Sequence, residues 1–260
     1  MRLVQKIKST KVRKGEVAIF YLAQAGFYIK TSDDKNIVID AYLSDACERL
    51  FNFKRMIPPV ISAEELDADL YFSTHEHADH LDPDTLPVVA KNKKTFFVGS
   101  PDCEELYTKN NLSVERYKIL DEGEKWIKGG IKIKAIYADH GDLSPHANGL
   151  FIDIDGIKIY HVGDTSFCPD RIIASLTSEV DIMIVPINGQ FGNMDAKEAC
   201  ALANLIRPKI LIASHFWMFL EHVCEGGRGD PATFLKESSG LPKGIQTVVL
   251  APGELLMYSK

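Results

Sequence analysis

"STHEHADHLD", Ser73–Asp82, follows directly on the apolar run "ADLYF". Three histidines, one glutamate and two aspartates fall within these ten residues. Burying such groups unpaired would cost several kcal/mol per charge. Divalent cations turn that cost into binding energy, because imidazole nitrogen and carboxylate oxygen are their natural ligands. His75 and His77 are two residues apart, so an extended backbone points them the same way. Asp79 and His80 come after a turn and address a neighbouring position.

The same pattern recurs downstream. His140 follows "IKAIYAD", Asp164 follows "IKIYHVG" and His215 follows "KILIAS". Each lies at the C-terminal end of an apolar run that reads as a strand. Strand ends along one edge of a layered fold converge, so these positions are expected to join His75, His77, Asp79 and His80 around two adjacent metal ions. Zinc, manganese and iron all accept this donor set.

Working outward, "EVAIFYLA", "GFYIKT" and "NIVIDAY" are β-branched and aromatic runs punctuated by "QAG" and "SDDK". Ser62 with Glu65 forms a capping box for a short helix. "DPDTLPVVAKN" reads as a helix and "TFFVGS" as a strand. "GLFIDIDGIKIYHVGDT" is a hairpin about Asp155-Gly156. "VDIMIVPI", "PKILIASHF" and "QTVVLAPGELLMY" read as strands. "MDAKEACALANLIRP" is a helix capped by Asp195, with Glu198 as capping-box partner and Pro208 beyond its end. "GGRGD" at 226–230 reads as a loop before a helix beginning at Pro231, not as a phosphate loop. Strands dominate each half, with helices between them. The expectation is an α/β (α+β) chain: two stacked sheets with helices outside, one domain over 1–260 built from halves of about 1–125 and 126–260.

The bulk numbers agree. The chain has 260 residues, 45% hydrophobic and 25% charged, with a formal net charge of -6. That acidic balance argues against a nucleic-acid partner, and no apolar run reaches the length of a membrane span. The five cysteines are scattered without a Cys-x-x-Cys pair, which fits reduced thiols and a cytoplasmic location.

"THEHADH" resembles the signature of the metallo-β-lactamase superfamily, and "ADH", "GDT" and "SHF" resemble its later metal motifs in the same order. "RMIPPVISAEELDADLYFSTHEHADHLD", "IYHVGDTSF" and "VPINGQFGNMDAKEA" resemble the branch that contains ascorbate-6-phosphate lactonase. The resemblance implies a four-layer αββα sandwich. It implies that His75, His77 and His140 hold one metal, that Asp79, His80 and His215 hold the other, and that Asp164 bridges them. Asp40, closing "NIVID", would orient a ligand without binding metal itself. The implied reaction is attack by a metal-bound hydroxide on a small polar ester or lactone, a phosphorylated sugar lactone being one form, with Asp79 orienting the hydroxide and taking up its proton. A phosphodiesterase or nuclease with the same metals is the alternative, and a non-catalytic metal-binding module the third reading.

The chain also departs from parts of the family. It has no "PGHTxG" around His140, which argues against thioester hydrolases. The "INGQFGN" loop lacks the arginine of a close ascorbate-6-phosphate lactonase. His146 is the rival to His140 at the third motif. His161 and His222 are candidates to support the site or meet substrate, His222 from a loop. Cys168 reads as an inert thiol. Phe216, Trp217 and Phe219 read as core or pocket wall, and Arg49, Lys54 and Arg55 as a solvated face. The partner expected is a small-molecule substrate. A homo-oligomer is left open.

Overall fold

A computed structural model describes residues 1–176, 178–223 and 229–260, and the side chains of 222 and 223 fall outside that description. Fourteen strands are present among the described residues. They are β1 Glu16–Ala23, β2 Gly26–Thr31, β3 Asn36–Ile39, β4 Leu70–Ser73, β5 Phe96–Gly99, β6 Tyr117–Ile119, β7 Lys125–Lys128, β8 Ile131–Tyr137, β9 Asn148–Ile154, β10 Ile157–His161, β11 Ile182–Pro186, β12 Ile210–Ser214, β13 Gln246–Val248 and β14 Leu255–Ser259. The helices are α1 Leu3–Ser9, α2 Ala46–Phe51, α3 Leu86–Val89, α4 Glu104–Lys109, α5 Pro169–Ser175, α6 Ala196–Ile206, α7 Leu220–Val223 and α8 Pro231–Ser238, with short 3-10 turns between. This is the mixed α/β, two-sheet architecture that the sequence led us to expect.

The chain divides into two compact units. One is Met1–Ile119 with Leu250–Lys260, and the other is Leu120–Val249. The first holds a seven-stranded sheet of order β14-β1-β2-β3-β4-β5-β6, and the second a seven-stranded sheet of order β13-β12-β11-β10-β9-β8-β7. Both sheets follow one plan. From β14 to β3 the pairs are antiparallel, and from β3 to β6 they are parallel. From β7 to β10 the pairs are antiparallel, and from β10 to β13 parallel. The C-terminal strand β14 leaves the second half of the sequence and pairs with β1, Glu16 opposite Ser259.

In the first unit Ala18, Phe20 and Leu22 of β1, Tyr28 of β2, Val38 of β3, Tyr71 of β4 and Phe97 of β5 form a core with Leu3 and Ile7 of α1, Leu86 and Val89 of α3 and Tyr107 of α4. The alternate residues Ile19, Phe27, Ile37 and Phe72 are buried as well. A sheet buried on both faces needs apolar side chains in both directions, so these strands read as continuous runs. In the second unit α5 packs on β8, while α6 packs on β11 and α8. The Asp195–Glu198 capping box is formed at α6, and the one at Ser62–Glu65 opens a 3-10 turn.

One sequence expectation shifts. Residues 220–223 form α7 where a loop was expected; one short turn of helix has no apolar periodicity to betray it. The loop before α8 is only partly covered, since 226–228 lie outside the described residues, while α8 itself begins at Pro231 with Asp230 as its N-cap. No described helix is long and apolar enough to cross a membrane. Cys47, Cys103, Cys168 and Cys200 are free thiols. Burial raises all four, the Cys200 thiol to about 11.

Candidate metal centre

In the first unit the site grows from two parallel neighbours. β3 ends at Ile39 opposite Phe72 of β4, and the Asp40 N–H still donates to the Phe72 carbonyl at 3.0 Å. Asp40 then takes a left-handed backbone, φ +45°. That conformation is uncommon outside glycine, although aspartate tolerates it best. It aims a fully buried carboxylate at the start of the opening motif. The Thr74 N–H donates to Asp40 Oδ1 at 2.8 Å, the Thr74 hydroxyl donates to Oδ2 at 2.7 Å, and His80 Nδ1 donates to Oδ2 at 2.9 Å.

These bonds set the histidine tautomers. The Thr74 hydroxyl gives its only hydrogen to Asp40, so it accepts from His75 Nδ1 at 3.0 Å. His75 and His80 both carry their hydrogen on Nδ1, and each keeps Nε2 as the bare nitrogen. His75 Nε2 lies 3.0 Å from His77 Nδ1. The chain turns back after His77, with the N–H groups of His80 and Leu81 both donating to its carbonyl at 2.8 Å. That turn carries Asp79 Oδ2 to 3.7 Å from His80 Nε2. The Gln24 carboxamide, from the β1–β2 turn, donates to Asp79 Oδ2 at 2.7 Å.

Asp82 anchors the far end of the motif. Its buried carboxylate accepts from Leu43 N–H (2.9 Å), the Ser44 hydroxyl (2.7 Å), Asp84 N–H (3.0 Å), Thr85 N–H (3.3 Å) and the Thr85 hydroxyl (2.6 Å).

In the second unit the site again sits past strand ends. Ser166 N–H donates to the Asp139 carbonyl at 2.7 Å, the Ser166 hydroxyl to Asp139 Oδ2 at 2.8 Å, and Asp139 N–H to the Thr165 hydroxyl at 2.8 Å. These bonds lock the segment after β8 to the segment after β10. His140 Nε2 is thereby 4.0 Å from Asp164 Oδ2. His215, the residue after β12, holds φ at +55° and places Nε2 3.2 Å from the same oxygen. Asn193 Nδ2 donates to Asp164 Oδ2 at 2.6 Å. His146 is exposed and faces Asp121 at 4.0 Å, whereas His140 is buried beside Asp164. His161 is buried on β10 in register with Ile184. His222 belongs to α7, and its side chain falls outside the described residues.

Two ligands of one cation, each about 2.0–2.1 Å from it, lie roughly 3–3.4 Å apart at octahedral or tetrahedral angles. His75–His77 at 3.0 Å and His215–Asp164 at 3.2 Å match that edge, and Asp79–His80 at 3.7 Å is near it. With imidazole nitrogens beside carboxylate oxygens, the residues of each unit have the donor types that a divalent cation takes. Thr74, Gln24, Asn193 and Asp82 escaped the sequence reading. Only the place of Thr74, between a strand and a histidine, offered a local signal.

A beta-lactamase superfamily domain matches residues 18–215. The chain belongs to the metallo-β-lactamase superfamily. It is 29% identical over 250 residues to a metal-dependent hydrolase of Thermococcus onnurineus, covering 92% of this chain and 99% of that one. A metal-dependent hydrolase of Polynucleobacter asymbioticus is 29% identical over 221 residues, covering 78% of this chain and 75% of the relative. Among solved structures, Igni18, a metallo hydrolase from Ignicoccus hospitalis, shares the fold with a TM-score of 0.69 at 24% identity, covering 94% of this chain and 99% of that one.

Proposed function

We propose that this metal-dependent hydrolase of the metallo-β-lactamase superfamily cleaves the carboxylic ester of a small molecule, most simply a lactone, with two divalent cations of zinc, manganese or iron. His75, His77 and His140 would hold one, Asp79, His80 and His215 the other, and Asp164 both. The observation that carries this reading is the donor geometry of each unit: imidazole nitrogens 3.0 and 3.2 Å from a second ligand atom, with buried oxygens fixing the tautomers of His75 and His80 in the first unit.

When bound, the cations supply water acidified to a pKa of about 7 and polarise the scissile carbonyl. The chain's own groups do the rest. Asp79, held by Gln24, takes the proton released as water attacks the carbonyl carbon. When the ester C–O bond breaks, the same carboxyl returns that proton to the departing alkoxide, leaving an acid and an alcohol. Asp40 and Thr74 keep His80 and His75 in the binding tautomer throughout. Asn193 holds the Asp164 carboxylate still while charge changes around it. The phosphorylated sugar lactone suggested by the motif flanks is one member of this substrate class. Four buried or half-buried free thiols suit a reducing, cytoplasmic setting.

The test is hydrolysis of a panel of aliphatic, aromatic and sugar lactones and bis-p-nitrophenyl phosphate by zinc-, manganese- and iron-loaded protein. Ester opening that disappears in Asp79→Asn is expected. Preference for the phosphodiester would replace this reading with a phosphodiesterase. No turnover with metal bound would leave a metal-binding module.

A further inference from the structure

The edge of the second sheet that carries Asp164 and His215 also carries groups the hydrolytic chemistry does not use. β11 lies between β10 and β12, with Pro186 opposite Ser214. Its chain continues as "INGQFGNMD" (187–195), a loop tied down at both ends. Ile187 N–H donates to the Ser214 carbonyl at 3.1 Å, Gly189 N–H to the Met194 carbonyl at 3.1 Å, and Met194 N–H to the Thr165 carbonyl at 3.0 Å. At its tip Asn193 N–H donates to the Gln190 carbonyl at 2.9 Å, closing a turn whose central residues are Phe191, φ +53°, and Gly192, φ +83°. Two positive φ values are the mark of a type I′ turn, whose first central place belongs to asparagine, aspartate or glycine. A phenylalanine there costs about 1 kcal/mol or more. The strain does not serve burial, since Phe191 is 52% exposed.

The neighbouring strand repeats the feature. Trp217, two residues after His215, has φ +50° and is 46% exposed. Two large aromatics, each in a strained backbone and each half in water, therefore stand at the ends of adjacent parallel strands. Strain of this kind persists where function requires it. In the same loop, three residues before Phe191, Asn188 is only 7% exposed, yet among the described residues neither its Oδ1 nor its Nδ2 has a hydrogen-bond partner. Leaving a buried carboxamide unpaired is costly unless a ligand completes it. The three segments past β10, β11 and β12, 162–168, 187–195 and 215–219, contain no Lys or Arg. A phosphate would find no cationic side chain in them.

We infer that Asn188, Phe191 and Trp217 form the substrate-selecting surface, taking an ester or lactone that carries an aromatic ring. The ring stacks on Phe191 and Trp217, and the polar group beside the ring completes both hydrogen bonds of the Asn188 carboxamide. This rests on the hydrolase reading and narrows its substrate from a phosphorylated sugar to an aryl ester.

The experiment measures binding without turnover. Trp126→Phe leaves Trp217 as the only tryptophan, and its emission is titrated with phenylacetamide, cyclohexylacetamide and gluconamide, which resist hydrolysis. Saturable binding of phenylacetamide about tenfold tighter than of the other two is expected. Phe191→Asn should weaken it about tenfold while the melting temperature holds or rises, because asparagine suits the turn. Asn188→Leu should weaken it similarly without lowering the melting temperature. Equal binding of all three amides, no saturable binding, or a fall of several degrees in the melting temperature of both variants would overturn the proposal, the last by showing that these residues serve the fold. Aryl selectivity in a protein that hydrolyses no ester would instead retain this surface and remove the hydrolase reading. Ester hydrolysis without aryl preference would do the reverse.

Discussion

Asp40→Asn isolates the group on which the first half of the site depends. Asparagine keeps the left-handed backbone and can still accept from the Thr74 N–H through Oδ1. It cannot reproduce what Oδ2 does, because an amide nitrogen there faces two donors, the Thr74 hydroxyl at 2.7 Å and His80 Nδ1 at 2.9 Å. Bonds to a carboxylate are worth about 1.5–3 kcal/mol each, and some of that returns when the hydroxyl and the ring rotate. The expected loss is about 2–4 kcal/mol, or roughly 5–10 °C in melting temperature for a chain of this size. The second effect is on the ring itself. With an amide donor opposite Nδ1, His80 moves its hydrogen to Nε2, the atom that would meet metal, and metal affinity should fall about 10–100-fold. Thermal melts in chelator give the first number, and competition against a fluorescent zinc indicator gives the second. A variant that melts within about 2 °C of the parent and binds zinc equally well would refute the tautomer argument.

Asp82→Ala removes the acceptor of five hydrogen bonds and should cost about 3–5 kcal/mol in urea unfolding; a loss below about 1 kcal/mol would mean that water replaces the carboxylate. Asp195→Ala breaks the capping box of α6 and should cost only about 1 kcal/mol, leaving metal content unchanged. Burial lifts the phenols of Tyr21, Tyr71, Tyr107 and Tyr160 far above their ordinary range. The unfolded chain releases those protons near pH 10 and the folded chain does not, so stability must fall as pH rises past 10, by roughly 5 kcal/mol per unit for the four. The tyrosinate absorbance at 295 nm contributed by these four should therefore appear in one step together with loss of circular dichroism, whereas gradual ionisation of every tyrosine with the fold intact would contradict the burial.

How legible the molecule was depends on the range of the forces involved. β1 and β2 run over the segments "EVAIFYLA" and "GFYIKT", because unbroken apolar runs bounded by turn residues signal strands buried on both faces. The Asp155-Gly156 hairpin and the α6 capping box are equally local devices. α1 was overlooked because only Leu3 and Ile7 turn inward from a basic stretch. β6 and β7 are short, with half-exposed or exposed residues throughout. The return of β14 to β1 is a pairing across almost the whole chain, which no local pattern encodes. The site divides in the same way. Histidines and aspartates at strand ends announce themselves by type, while Gln24 and Asn193 act through contacts that exist only after folding. The strand-end position already favoured His140 over His146, while the locked segment around Asp139 and Ser166 that holds it is a contact made only on folding.

The central proposal is that the chain holds two divalent cations through His75, His77, Asp79, His80, His140, Asp164 and His215. Elemental analysis of protein purified without chelator, beside His77→Ala, changed only in the first unit, and Asp164→Ala, changed only in the second, tests it most directly. The account predicts about two metal ions per chain in the parent and a loss of most of that metal in each variant. A parent that holds no metal after reloading, or variants that both keep the full complement, would contradict it.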